Sequence, residues 1–89
     1  MVVLTAILKT AEGKGDDVER LFKELVPKVL KDPETIAYAV HRAVDDPSKF
    51  FVYEQYESRE ALQAHGQTEH FKAFNQASKG MLTSRPSQE

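Results

Sequence analysis

The sequence predicts a small single-domain α+β protein, and three observations lead to this fold class. Two runs rich in β-branched and aromatic residues, 35–44 and 50–57, flank the turn-forming segment Asp45–Ser48, which predicts an antiparallel hairpin. A strongly amphipathic helical pattern precedes this hairpin. The chain has 89 residues, which is near the lower size at which one domain sustains its own core.

The first strand is predicted from Val2 to Thr10, an apolar and β-branched run that ends at a glycine-rich turn. Asp16 then has the position of a helix N-cap, with Glu19 three residues later as in a capping box. Pro27 is expected to kink the following helix without ending it, because the apolar pattern resumes beyond it. This pattern has helical spacing and consists of Val18, Leu21, Phe22, Leu25, Val26, Val29 and Leu30.

The second half of the chain predicts two further helical pieces. Ser58 can cap a short helix from Arg59 to about His65, and Gly66 ends it. A last helix is predicted over about 68–80. The order β-α-β-β-α, with the last helical region in two pieces, fits a ferredoxin-like antiparallel sheet with helices on one face. We expect residues 1–83 to form this domain and residues 84–89 to be a polar tail or a short or truncated last strand.

The third strand predicts a homodimer. Phe50, Val52, Glu54 and Tyr56 alternate with Phe51, Tyr53 and Gln55, so both faces of the sheet carry bulky groups. Helices on one side leave the other face uncovered, and a second copy packed sheet to sheet would bury it. Because a carboxylate is costly to bury, we expect Glu54 to point into the cavity of the resulting barrel and Tyr53 to face the helices.

Composition excludes several classes of function. The net charge is -2, and basic residues are interspersed with acidic ones, so no clustered basic face predicts nucleic-acid binding. The chain has no cysteine, which excludes disulfides and thiol chemistry. No stretch approaches the roughly 20 apolar residues that span a bilayer, and the start lacks the features of a signal peptide. We therefore expect no membrane association and a cytoplasmic protein.

Several motifs resemble the antibiotic biosynthesis monooxygenase family. They are Glu54-Gln55-Tyr56-Glu57-Ser58, Ala61-Leu62, His65, Thr68-Glu69-His70-Phe71 and Phe74, together with Gly13, Pro27, Tyr38 and Asp46-Pro47. The resemblance implies a dimeric α/β barrel. It also implies oxidation of electron-rich aromatics, such as quinols and anthrones, by O2 without a metal or flavin cofactor.

This chain departs from the family at three positions. Tyr56 stands where the family usually has Trp. Ala6 stands where some members have a functional Asn on the first strand. A haem-degrading branch has a His on the last helix, and the matching position here is about Asn75, which argues against haem ligation in that manner.

Three residues are candidates for catalysis. Glu54 would be a general base or would anchor a phenol proton, and the alternative is a structural ion pair with Arg42 or a partner-chain residue. Tyr56 would donate to an oxyanion or stack on a ring, and the alternative is packing. His65 would be an acid or base at the mouth of the pocket, and the alternative is hydrogen bonding at the helix break. The spacing of His65 and His70 fits no helical metal-ligand pair, so no metal site is predicted.

The predicted pocket lies between the sheet and the helices at one end of each half-barrel. The candidate substrate-binding residues supply apolar wall or hydrogen bonds, with His70 at the surface or on a lid: Ala6, Tyr38, Phe50, Val52, His70, Phe71 and Phe74. The main hypothesis is a cofactor-independent monooxygenase that oxidises a small aromatic molecule with O2. The alternatives are a non-catalytic dimeric module that binds a small apolar ligand and, third, a haem-binding or haem-degrading protein.

Overall fold

The computed structural model describes residues 1–83 and 87–88. The elements follow in the order β1 (Val2–Lys9), α1 (Gly15–Val29), β2 (Thr35–Arg42), β3 (Lys49–Tyr56), α2 (Arg59–Gly66), α3 (Glu69–Ala77) and β4 (Ser87–Gln88). The predicted α+β class and the ferredoxin-like element order are confirmed. Within the described part of the chain, every helix is too short or too polar to cross a bilayer.

The strands form one antiparallel sheet in the order β2-β3-β1-β4. Glu54 lies opposite Leu4 on β1 and opposite Tyr38 on β2, so these three residues form one row across the sheet. The two residues of β4 pair with β1 opposite Ala6 and Ile7. The remainder of the predicted tail or last strand, residues 84–86 and 89, lies outside the described residues.

The helices cover one face of the sheet because α1 has a continuous apolar stripe. Phe22 packs its ring against those of Phe50 and Phe74, with centroid distances of 5.7 and 4.6 Å. Each such side chain contributes roughly 1.5–3 kcal/mol when it is fully buried. The buried core consists of Ala6, Leu8, Val18, Phe22, Leu25, Val29, Tyr38, Phe50, Val52 and Phe74.

The expected orientation of β3 is wrong. Glu54 and Tyr56 face the helices with Phe50 and Val52, and Glu54 is only 7% exposed. Tyr53 is half-buried on the helix-free face, where its hydroxyl donates to Gln55 Oε1 at 3.2 Å. Alternation along β3 shows which residues share a face. Because both faces carry aromatic residues, it does not show which face α1 covers.

The capping box predicted at the start of α1 is also wrong. Lys14 occupies the N-cap position and makes no side-chain capping bond. The carboxylates of Asp16 and Glu19 instead accept hydrogen bonds from Arg42 Nη1, each at 2.8 Å. Each carboxylate thereby makes a charge-assisted hydrogen bond to the guanidinium of Arg42, which β2 brings within reach.

The cap predicted at Ser58 is confirmed, and the structure adds a cap at Thr68 that was not predicted. Ser58 caps α2, since its Oγ accepts from the Ala61 N–H at 3.1 Å. Thr68 caps α3 in the same way, through the Phe71 N–H at 3.3 Å. Helix α1 continues through Pro27 and ends at Val29. Helix α2 ends at Gly66 and α3 begins at Glu69, so the two helical pieces are separated by Gln67 and Thr68.

Candidate functional site

A cavity of about 330 Å³ lies between the sheet and the helices α2 and α3. The sheet contributes one wall, formed by Leu4, Ala6, Leu8, Tyr38, Val52 and Glu54. The opposite wall comes from the helices and the segment after α3, namely Phe22, Leu62, His65, Gly66, Phe71, Phe74, Asn75 and Leu82. A mostly apolar wall with few polar groups is typical of pockets for small organic ligands.

The polar groups of this cavity form a buried cluster at one end. Tyr56 is fully buried, and its hydroxyl donates to Glu54 Oε1 at 2.8 Å. His65 of α2 places its Nε2 4.0 Å from the same carboxylate oxygen. Both Glu54 and Tyr56 are on β3 two residues apart, so the pleat of the strand sets them side by side.

Burial changes the acidity of this cluster. Removal from water raises the pKa of Glu54, because the charged form is penalised, and the hydrogen bond from Tyr56 partly opposes this change. Burial likewise raises the pKa of Tyr56, and the neighbouring carboxylate raises it further. Tyr56 therefore stays protonated and acts as a donor, while Glu54 becomes a stronger base than a carboxylate in water.

His65 is buried against aromatic rings. Its ring centroid lies 4.5 Å from that of Phe71, 5.4 Å from Tyr38 and 5.6 Å from Tyr56. Burial lowers the pKa of His65, while the charge of Asp32 acts in the opposite direction. The imidazole is therefore neutral near pH 7, with one ring nitrogen able to accept a proton.

Tyr38 lies in the same sheet row as Glu54 and lines the cavity. Burial raises the pKa of its hydroxyl, and the charge of Glu54 adds to this effect. The hydroxyl is thus a neutral donor at physiological pH. Tyr38 and Glu54 belong to the same wall of the cavity.

The structure brings most of the predicted residues together. Ala6, Val52, Phe71 and Phe74 line the cavity together with Tyr38. Glu54 and His65 line it as well, and Tyr56 lies directly behind Glu54.

Two predicted substrate-binding residues lie elsewhere. Phe50 packs in the core beneath Arg42, whose guanidinium is 5.5 Å from the ring centroid, and does not line the cavity. His70 points away from the cavity, and its Nε2 lies 2.8 Å from Asp32 Oδ2. His65 was expected at the pocket mouth and is instead 5% exposed, within the interior.

The alternative ion pair between Glu54 and Arg42 is wrong. Arg42 binds Asp16 and Glu19, and its Nε donates to the carbonyl oxygen of Pro47 at 2.7 Å. Arg42 lies opposite Phe50, four positions along β3 from Glu54, whose partner on β2 is Tyr38.

Part of the cavity wall consists of residues that were not predicted from the sequence. Leu4 and Leu8 share the strand face of Ala6, so alternation along β1 could have identified them. Phe22 belongs to the recognised stripe of α1, but its exposure to a cavity depends on where α1 lies. The remaining missed residues are Leu62, Gly66, Asn75 and Leu82.

Over residues 1–83 and 87–88, no cluster of three or more His, Asp or Glu side chains is placed to hold a metal ion.

The fold and the cavity define a class: a ferredoxin-like α+β protein with an apolar pocket and a buried acid–base cluster between sheet and helices. The chain belongs to the antibiotic biosynthesis monooxygenase family, because the model of that family matches residues 1–77.

Solved structures agree with this assignment. A protein from Caulobacter crescentus, described as a candidate antibiotic biosynthesis monooxygenase, is 31% identical with a TM-score of 0.89, and the match covers 98% of this chain and 83% of that one. A structure described as an antibiotic biosynthesis monooxygenase is 27% identical with a TM-score of 0.92, over 100% and 94% of the two chains. A Nitrosomonas europaea protein has a TM-score of 0.93 at 17% identity, over 98% and 84%, which shows a common fold. No curated protein matches this chain.

Proposed function

We propose that this protein is a monooxygenase that oxidises a small electron-rich aromatic molecule, quinol-like or anthrone-like, with O2. One observation carries the proposal: the cavity of about 330 Å³ is lined by apolar and aromatic residues and contains Glu54 beside His65. Membership of a family named for monooxygenases, and relatives described in the same words, support the reaction class.

The chemistry requires a base in a dry pocket. Glu54 takes the phenol proton of a quinol, and its raised pKa makes it a stronger base for this step. The resulting phenolate is electron-rich enough to pass an electron to O2 itself, so the protein need only bind and orient the two reactants. One oxygen atom enters the ring and the other leaves as water, which converts a quinol and O2 into a hydroxyquinone and H2O.

The neighbouring side chains have distinct roles in this proposal. Tyr56 holds the Glu54 carboxylate through the 2.8 Å hydrogen bond, so the second carboxylate oxygen can meet the substrate. Tyr38 donates to the developing oxygen anion from the same wall. His65 exchanges a proton with Glu54 after a small movement across the 4.0 Å that separates them.

We further propose that the functional unit is a homodimer. The helix-free face of the sheet carries half-buried Ile7, Phe51 and Tyr53, and Val3 is 52% exposed. Several large apolar side chains grouped on one uncovered face of a sheet are typical of an interface. Sedimentation velocity at micromolar concentration is expected to give a dimer, and Phe51→Asp a monomer. Val44→Asp, at a fully exposed loop position, is the matched control and is expected to remain dimeric.

The activity is tested by oxygen uptake with a panel of hydroquinones and anthrones. Glu54→Gln is expected to lower kcat/KM by about 100-fold or more, the usual contribution of a general base, with an unchanged circular dichroism spectrum. Glu57→Gln, an exposed carboxylate just beyond β3, is the control and is expected to behave as wild type. Uptake that is equally fast in Glu54→Gln would contradict the role of Glu54.

A binding module makes a different prediction in the same assay. It would bind members of the panel, detected by calorimetry, without consuming oxygen. Saturable binding with no uptake over hours would replace the proposed monooxygenase by that alternative.

A further inference from the structure

His65 lies between two cavities. One is the cavity that contains Glu54, and the other is an outer cavity of about 320 Å³ on the far side of α2. His65 lines both of them. The other residues of the outer cavity are Asp32, Pro33, Glu34, Thr35, Glu60, Ala61, Ala64 and Thr68.

Both ring nitrogens of His65 are buried without a hydrogen-bond partner among the described residues. The side chain is 5% exposed. A buried imidazole with no partner is costly, because each polar atom loses its bonds to water without replacement. Such an arrangement suits a group that forms its bonds transiently, first on one side and then on the other.

The outer cavity has an acidic lining that reaches water. Asp32 and His70 are each 19% exposed and are joined by the 2.8 Å contact between Oδ2 and Nε2. The charge of Asp32 raises the pKa of His65 against the effect of burial, while that of His70 lowers it. The titratable groups that surround His65 or share the outer cavity are Tyr38, Glu54, Tyr56, Asp32, Glu34, Glu60 and His70.

We propose that His65 carries protons between Glu54 and solvent through the outer cavity, with the Asp32–His70 pair as the outer end of the route. This inference depends on the proposed oxidation. A bound aromatic ring fills the inner cavity, whose mostly apolar lining offers a proton few polar paths. The outer cavity supplies a path for the proton that the substrate does not block.

Each step moves only a proton. The substrate O–H bond breaks as Glu54 is protonated, and Glu54 then transfers this proton to Nε2 of His65. The imidazolium releases its other proton from Nδ1 to solvent in the outer cavity, where the negative charge of Asp32 stabilises it. The reverse transfer returns a proton when the reduced oxygen leaves as water, so His65 and Glu54 end each cycle unchanged.

Asp32 is therefore a positioning residue for proton transfer, and Asp32→Asn tests this role. The amide keeps the size of the carboxylate and can still bond to His70, but it removes the charge. We expect kcat with a hydroquinone to fall about tenfold with KM unchanged, and small imidazole buffers to restore part of the loss. Asp45→Asn, at an exposed loop position, is the control and should leave kcat unchanged.

A second measurement needs no turnover. Nitrogen-15 NMR of the histidine rings follows the titration of His65, and Asp32→Asn is expected to lower its midpoint by about half a pH unit, with no change in Asp45→Asn. If no hydroquinone is oxidised by wild type, the proposed function fails, and this titration alone decides whether Asp32 and His65 are coupled. An unchanged midpoint, or a raised KM with normal kcat, would overturn the inference.

Discussion

Replacing Tyr56 with Phe isolates the one hydrogen bond that the buried carboxylate receives from its own strand. Tyr56 is fully buried and donates to Glu54 Oε1 at 2.8 Å. A hydrogen bond to a charged group contributes about 1.5–3 kcal/mol, against about 1 kcal/mol for a neutral pair. The aromatic ring stays in place, so little is added for a cavity. Tyr56→Phe should therefore lower the free energy of unfolding by about 2 kcal/mol where Glu54 is ionised.

The loss should depend on pH, and the sign follows from the raised pKa of Glu54. The folded protein holds this proton more tightly than the unfolded chain, so stability decreases as pH rises from 4.5 through the folded-state pKa. Without the tyrosine hydroxyl, the pKa of Glu54 should rise by about one further unit, since one unit corresponds to about 1.4 kcal/mol. The difference between Tyr56→Phe and wild type should then grow as pH rises from 4.5 through the raised folded-state pKa of Glu54.

Urea unfolding at fixed protein concentration, followed by circular dichroism at several pH values, measures this difference. Carbon-13 NMR of the Glu54 carboxyl gives the pKa directly. Tyr53→Phe is the matched control, because its hydroxyl bonds to a neutral amide on the opposite face, and the cost should not change with pH. A pH-independent loss in Tyr56→Phe, with an unmoved Glu54 titration, would refute the coupling between the two side chains.

Three further predictions concern stability. Gly15→Ala would place its Cβ against the guanidinium of Arg42 and the neighbouring backbone, and should lower the free energy of unfolding in urea by about 1–3 kcal/mol. Gly66→Ala is the control, because its added Cβ meets no atom within 4 Å, and the free energy of unfolding should stay unchanged or rise by up to about 1 kcal/mol. Phe22→Ala should lower the free energy of unfolding by about 3–5 kcal/mol, and a smaller loss would mean that the core collapses around the site. Because the pKa of His65 is lowered, the stability that His65 contributes should decrease as pH falls below 6.5, so the free energy of unfolding of wild type should fall relative to that of His65→Gln over this range; a difference that does not change with pH would exclude the effect.

Local sequence features predicted the order of elements and several of their ends. The apolar stripe of α1 and the cap at Ser58 depend on residues within a few positions of each other, so their signals survive without tertiary information. Alternation along β3 identified Glu54 and Tyr56 as neighbours on one face. Bulky residues occur on both faces of β3, however, so the alternation could not show which face the helices cover, and that prediction was wrong.

The partners of the charged groups were decided by tertiary structure. Arg42 binds the first turn of α1 from 23 and 26 residues away, which displaced the predicted capping box. Asp32 and His70 are 38 positions apart and meet only because α3 packs beside the end of α1.

By itself, then, the sequence determined the fold class, the helix–strand order and the chemical types available for a site: a carboxylate, a tyrosine and a histidine near the end of the sheet. Only the folded chain decided that the three lie under the helices and within a few ångströms of each other, and that His65 lies between two cavities. The physical reason is the distance along the chain over which each interaction acts. Periodicity and capping depend on bonds along a few residues, whereas burial and ion pairing depend on which distant surfaces come together and exclude water.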